Sequence, residues 1–198
     1  DIGYIRIMSF NDSNINKLFR EHLDRLLDRN IKGLIIDLRD NLGGYYDQVV
    51  KIADRLLPEG IIVYTEDRDK NRKTEYSDPE ELEIPLAVLV NSNSASASEV
   101  LAGAIKDHKK GTLIGTTTFG KGVVQEVKYL NDGSGIKVTI AHYFTPDGTS
   151  IHGVGIKPDI EIGTGDRYER TPVSQIPRNE DIQLKKALEI LNKNNISS

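Results

Sequence analysis

Residues 85–105 read PLAVLVNSNSASASEVLAGAI: an apolar run, a tract of alternating serines, then a second apolar run with a different period. Leu86–Val90 is apolar at every position, the pattern of a strand buried on both faces of a sheet. From Ser94 onward, SASASEVLAGAIKDHKK repeats its apolar residues at helical spacing. A strand buried on both sides needs a layer above and a layer below, so this stretch sets the expectation of a layered α/β domain.

The same order recurs on either side. GYIRIMSF alternates like a half-buried strand, and residues 11–33 place Ile15, Leu18, Phe19, Leu23, Leu26 and Leu27 at helical spacing, with Asn30 and Gly33 flanking the stop. GLIIDLRD is again a buried-strand run, followed by NLGG and the helical YYDQVVKIADRLLP. GIIVYTEDR is strand-like and precedes a charged stretch from Asp67 to Glu83. GTLIGTTTFGKG and residues 123–148 are strand and hairpin material, with the Asp132-Gly133 turn between alternating segments. Residues 163–178, rich in glycine, proline and charge, read as a linker or surface strap. In the tail, NEDIQLKKALEILNKN is an amphipathic helix with Ile182, Leu184, Leu188 and Leu191 expected on its buried side. The expected architecture is a layered mixed sheet with flanking helices: a core over 1–163, a strap over 164–179 and a helix within 180–198.

Bulk composition narrows the function classes. With 37 % hydrophobic and 28 % charged residues over 198 positions, the chain can build a substantial core. Its net charge of −4 comes from interspersed residues of both signs, with no basic block to bind nucleic acid or an anionic membrane. The lack of cysteine removes disulfides, zinc-thiolate sites and a cysteine nucleophile. The four histidines, His22, His108, His142 and His152, show no metal-ligand spacing, so no metal site is expected. No apolar run is long enough to span a membrane, and DIGYIRI does not open like a signal segment.

Two strand-to-helix junctions carry unusual residues, Asp40-Asn41-Leu42-Gly43-Gly44 and the serine tract. In parallel α/β sheets ligands gather at such carboxyl ends. Paired glycines let backbone N–H groups approach a substrate oxygen, and a serine opening a helix gains from the aligned N–H groups there. Any of Ser92, Ser94, Ser96 or Ser98 could equally be a helix cap, and Ser96 with Glu99 fits the S-x-x-E capping box. A serine nucleophile needs a base. None of the histidines has a local motif around it. A lysine amine titrates near 10.4 in water and needs an apolar, crowded setting to act as a base. Lys121, flanked by Gly120 and Gly122 and near Phe119, Val123 and Val124, has that setting. Its G-K-G does not fit the phosphate-loop pattern.

Taken together, DLRDNLGG, LVNSNSASASEVLAGAIKD, GTTTFGKGVVQ and GVGIKPDIEI resemble, in order and spacing, the carboxyl-terminal processing (tail-specific) peptidases, over roughly Gly3 to Ile162 plus the tail. The resemblance implies a ClpP/crotonase-like core and makes Ser96, the middle serine of SASAS, the nucleophile. It makes Lys121, 25 positions downstream, the base, and Gln125 the residue that orients the amine. If residues 121–125 lie on one strand, Lys121 and Gln125 share a face. It further implies an oxyanion hole from the Ala97 and Gly43 N–H groups, a structural role for Asp107, no cofactor, and protein or peptide substrates. An extracytoplasmic place of work is implied as well. The family's PDZ-type module, which takes up substrate ends by strand addition, has no counterpart here; the chain begins where the family's core resumes after that module, as an excised core or trimmed relative would. Such a module or a regulatory partner is therefore expected to be missing, and oligomeric state is not legible. The rival readings are a non-catalytic peptide-binding module of the same fold and a crotonase-like acyl-thioester enzyme.

Overall fold

The computed structural model describes residues 1–194. Among these residues, nine strands divide into two sheets. The first is parallel throughout, in the order β1 (Ile2–Arg6), β2 (Gly33–Asp37), β5 (Leu86–Val90), β6 (Gly111–Gly115), β9 (Ile160–Glu161). The second is antiparallel, in the order β4 (Arg72–Ser77), β3 (Gly60–Asp67), β8 (Gly135–Phe144), β7 (Val123–Tyr129). Parallel and antiparallel strands are both present, as the sequence implies, but in separate sheets.

The continuous apolar runs of β2 and β5 follow from what covers them. Leu34, Ile36, Val88 and Val90 face a core shared with α1 (Ile15–Leu27), α2 (Tyr46–Leu56) and α3 (Ala97–Asp107). Ile35, Ala87 and Leu89 face the other way, onto Ala187 and Leu191 of α4 (Ile182–Asn194). Every residue of both strands is buried, so each position must be apolar or, like Asp37, fully paired.

Two local expectations change. In α4, Ile182 and Leu188 are each 36 % exposed, whereas Ala187 and Leu191 are fully buried and Leu184 packs beside them. Asp181 and Gln183 both bind the buried Arg39 guanidinium, which turns the Gln183–Ala187–Leu191 stripe inward. The charged stretch after β3 also contains a strand, β4. Its side chains are charged because it is a sheet edge, and Arg72 pairs with Glu66 (3.1 Å) and covers the Tyr64 ring.

Residues 163–178 form two short 3-10 turns, Asp166–Tyr168 and Val173–Gln175, laid over the carboxyl ends of the parallel strands. Among the described residues, no helix is long and apolar enough to cross a membrane.

Candidate active site

The serine tract leaves β5 and enters α3, and its serines divide by what their oxygens bind. Ser94 Oγ donates to the Leu38 carbonyl (2.9 Å) and accepts the Asn91 N–H (3.0 Å); Ser98 Oγ donates to the Asn41 carbonyl (3.0 Å). Both are fully buried and clamp the tract to the loop after β2. Ser92 is exposed on the rim of a neighbouring cleft.

Ser96 alone sits at the turn itself, partly exposed, with φ 54° and ψ −115°. A positive φ on a non-glycine residue costs on the order of 1–3 kcal/mol and persists only where the surroundings enforce it. Here the Ser96 carbonyl accepts the N–H groups of Glu99 (2.9 Å) and Val100 (3.1 Å), and its own N–H donates to Glu99 Oε2 (2.9 Å). Ser96 and Glu99 thus form the capping box that the S-x-x-E spacing implies.

Glu99 joins the two halves of the site. Its carboxylate is fully buried and accepts four hydrogen bonds, two at each oxygen. Oε1 takes the Thr118 hydroxyl (2.6 Å) and the Gly120 N–H (2.6 Å), while Oε2 takes the N–H groups of Ser96 and Lys121 (2.9 and 2.8 Å). The backbones of Ser96 and Lys121 therefore meet on one oxygen atom. Thr118 extends the staple, since its hydroxyl also accepts the Ile156 N–H (2.7 Å). From the sequence Glu99 is legible only as a capping partner; its reach to residues 118–121 is a tertiary fact.

Gly43 lies against the same turn. A Cβ there would stand 2.7 Å from Ser96 Cβ and 3.0 Å from the Ala97 nitrogen, at a φ of +98°. Only glycine fits both the space and the backbone. The Gly43 N–H donates to Asn41 Oδ1 (2.9 Å), and the buried Asn41 donates in turn to the Ile7 carbonyl (2.7 Å). Ala97 is the first residue of α3, where N–H groups lack intrahelical acceptors. Structure thus gathers Ser96, Ala97, Gly43 and the Lys121 backbone.

Gln125 lies farther out. It is exposed on β7, which begins only at Val123, and the register with β8 shifts between Val124 and Gln125. The simple strand alternation from Lys121 to Gln125 is thus interrupted.

The histidines hold other posts. His108 Nε2 lies 2.7 Å from the Ile61 carbonyl, and His22 Nδ1 lies 2.7 Å from the Leu18 carbonyl. His142 and His152 face each other at 5.4 Å, His142 opposite Val123 and His152 beside Gly122. Asp107 accepts the Asp147 N–H (2.9 Å), a tie between α3 and the end of β8.

Beneath the loop after β2 runs a buried ionic cluster that sequence reading passed over. The Arg39 guanidinium bonds both oxygens of Asp37 (2.9 and 2.6 Å) and both of Asp181 (3.0 and 2.8 Å), and the Tyr4 hydroxyl donates to Asp37 (2.8 Å). Burial works to raise the Asp181 carboxyl, but the hydrogen bond from Arg39 and backbone N–H donors outweigh it and hold the group below the usual carboxylate range. Burial, then the neighbouring Asp37, pushes the Tyr4 hydroxyl up. Asp40 anchors the strap by accepting the Val173 N–H (2.9 Å) and the side-chain amides of Asn91 and Asn93 (2.8 and 3.0 Å). Burial opposes its ionisation, yet these donors keep its carboxyl low. A cleft of about 1140 Å³ opens here between Met8, Leu42, Asn93, Thr117 and the strap.

The Peptidase family S41 model matches residues 1–162. The chain belongs to peptidase family S41. S41 relatives include the carboxyl-terminal-processing protease of Synechocystis, 40 % identical over 96 % of this chain and 44 % of that one. The chloroplastic carboxyl-terminal-processing peptidase 2 of Arabidopsis thaliana is 45 % identical over 80 % of this chain and 31 % of its own. Among solved structures, a photosystem II D1 C-terminal processing protease superposes with a TM-score of 0.78 at 40 % identity, over 82 % of this chain and 42 % of that one. This S41 chain spans less than half the length of these relatives.

Proposed function

We propose that the protein is a serine endopeptidase in which Ser96 is the nucleophile and Lys121 the base, cleaving loosely folded or carboxyl-terminal segments of other proteins. The observation that carries this reading is the shared Glu99 oxygen, which holds the strained Ser96 turn and the Lys121 backbone side by side. In the reaction, neutral Lys121 takes the Ser96 Oγ proton as the oxygen adds to the peptide carbonyl. The resulting oxyanion is held by the Ala97 N–H. Gly43 supplies a second donor once its N–H turns from Asn41 Oδ1 to the oxyanion. Collapse breaks the C–N bond, Lys121 returns the proton to the leaving amine, and water then hydrolyses the Ser96 ester. Gln125 orients the lysine amine when the ribbon that carries it closes on a substrate.

Protein substrates, an extracytoplasmic place of work and a separate PDZ-type or regulatory module are part of this reading, supported by family kinship. Unfolded casein, with products read by mass spectrometry, tests it. The chain is expected to form a phosphonyl adduct on Ser96 with a fluorophosphonate probe, with loss of fluoride, and Ser96→Ala to lose both adduct and cleavage. Unchanged cleavage by Ser96→Ala would overturn the assignment, and cleavage surviving Lys121→Met would move the base to a histidine, with His142 and His152 nearest in the chain's fold. A chain that binds casein without cutting it would be the non-catalytic relative.

A further inference from the structure

Away from the serine turn, β1 is the open edge of the parallel sheet; no strand pairs with its outer side among the described residues. The Ile7 N–H donates to the Asp37 carbonyl (3.0 Å) and the Asp1 carbonyl accepts the Lys32 N–H (2.7 Å), so odd-numbered residues face β2. By alternation, the backbone groups of Tyr4 and Arg6 point off the sheet. Such an edge is a template for another strand.

Beside this edge, between β1 and α1, runs a groove of about 500 Å³. Ile5, Ile15, Phe19 and Leu26 give it apolar walls, and Arg6, His22, Arg25 and Arg29 give it a basic rim. No acidic residue lines it, although the chain as a whole carries a net charge of −4. Leu18, His22 and Arg25 follow one another at helical spacing along one flank of α1, and Arg29 stands in the turn just after it. Among the described residues, the side chains of Arg25 and Arg29 make no hydrogen bond or ion pair; Arg6 Nε is buried with no partner, while its Nη2 reaches Asp40 (3.8 Å) and the Arg39 carbonyl (3.5 Å). Asp24 and Asp28 precede Arg25 and Arg29 in the chain but do not line the groove, so on this face the arginines meet an apolar trough beside unpaired backbone.

We propose that this groove binds an extended peptide segment bearing carboxylates, which joins β1 as a sixth strand of the parallel sheet. Its backbone pairs with Tyr4 and Arg6, alternate apolar side chains enter the trough, and its carboxylates meet the arginines. An extended strand is favoured over a helix because the edge offers unpaired backbone donors and acceptors, which a helix has already satisfied internally. None of the proposed catalytic residues lines the groove, so this inference stands apart from the peptidase reading.

The test uses the whole chain carrying Ser96→Ala, so that no probe is cut. A fluorescein-labelled decapeptide alternating valine and glutamate is titrated by fluorescence anisotropy, against its valine–lysine counterpart and a single-stranded oligonucleotide. The acidic peptide is expected to bind, the lysine peptide not, and Arg25→Glu with Arg29→Glu to weaken binding about tenfold or more. Backbone pairing is read separately by amide hydrogen exchange, which is expected to slow at Tyr4 and Arg6 in the complex. Equal binding of the lysine peptide, equal binding of the oligonucleotide, or unchanged exchange at Tyr4 and Arg6 would each overturn the proposal. So would a concentration-dependent dimer, seen by sedimentation, that the arginine reversals dissolve, since a second copy would then own the groove. Should the double reversal unfold the chain, Arg25→Gln with Arg29→Gln gives the same comparison with a smaller expected loss.

Discussion

Strands β2 and β5 are buried at every residue, while β7 from Gln125 onward and β8 up to Ile140 are exposed at every residue. Val127, Tyr129, Ile136 and Val138 stand in solvent on the resulting two-stranded ribbon. The proposed catalytic residues are shared between these regions. Ser96 and Gly43 grow from the carboxyl ends of the buried strands; Lys121 and Gln125 sit where the chain passes into the ribbon. A two-stranded ribbon has little stability of its own in water. The strained Ser96 geometry therefore draws its support from the parallel sheet, and the lysine side is referenced to it through Glu99. The buried scaffold holds the proposed nucleophile, and a carboxylate carries that order across to the exposed ribbon.

Four perturbations probe this contrast, from the largest effect to the smallest. Ser96→Ala should lower kcat/KM on casein by on the order of 10⁴-fold or more, the scale for a lost nucleophile, with little change in the thermal midpoint. Glu99→Gln cuts the link between the regions. An amide nitrogen cannot accept the hydrogen bonds that one carboxylate oxygen now takes, so kcat should fall about 10²–10³-fold, the scale of losing a positioned donor. The same change should cost about 1–3 kcal/mol of stability through unsatisfied buried donors, read by urea unfolding. A Glu99→Gln enzyme with full kcat would show that the two halves hold their places independently.

Arg39→Met strikes the scaffold alone. It leaves Asp37 and Asp181 buried without their cation and should cost about 3–5 kcal/mol in unfolding free energy. It should also change the acid limb. The Asp181 carboxyl is held low in the folded protein, so its contribution is complete above about pH 4, the ordinary carboxyl range. That contribution is lost as pH falls through the lowered folded value. Urea midpoints between pH 6 and 2 should therefore fall more steeply for the wild type than for Arg39→Met. At the other extreme, Tyr129→Thr, near the ribbon tip and 80 % exposed, should move stability by no more than about 0.5 kcal/mol.

Much of the scaffold was legible because its signals are local. Continuous apolar runs marked β2 and β5, and helical periodicity marked α1, α2 and α3. Strand β4 was not legible, because an edge strand has no buried face to impose alternation on Arg72–Ser77. The face of α4 was misjudged for a different reason: Ile182 and Leu188 carry the apolar signal, but Asp181 and Gln183 set the helix's rotation through Arg39, 142 and 144 positions away.

At the site, sequence by itself determined the chemical inventory: a serine opening a helix at a sheet's carboxyl edge, a glycine pair at the neighbouring edge, a lysine between glycines, and no cysteine. Among the serines the resemblance singled out Ser96, but composition and spacing alone did not distinguish it from its neighbours. Ser94 and Ser98 have the same side chain and the same local context as Ser96, and only the fold shows that their hydroxyls are consumed by Leu38 and Asn41. Likewise Ser96 and Lys121 are merely two residues 25 positions apart until the Glu99 carboxylate accepts a hydrogen bond from each. Periodicity records which side of an element is dry, a property of neighbouring residues. Where a hydrogen bond ends depends on elements far apart in the chain, and that only the tertiary structure decides.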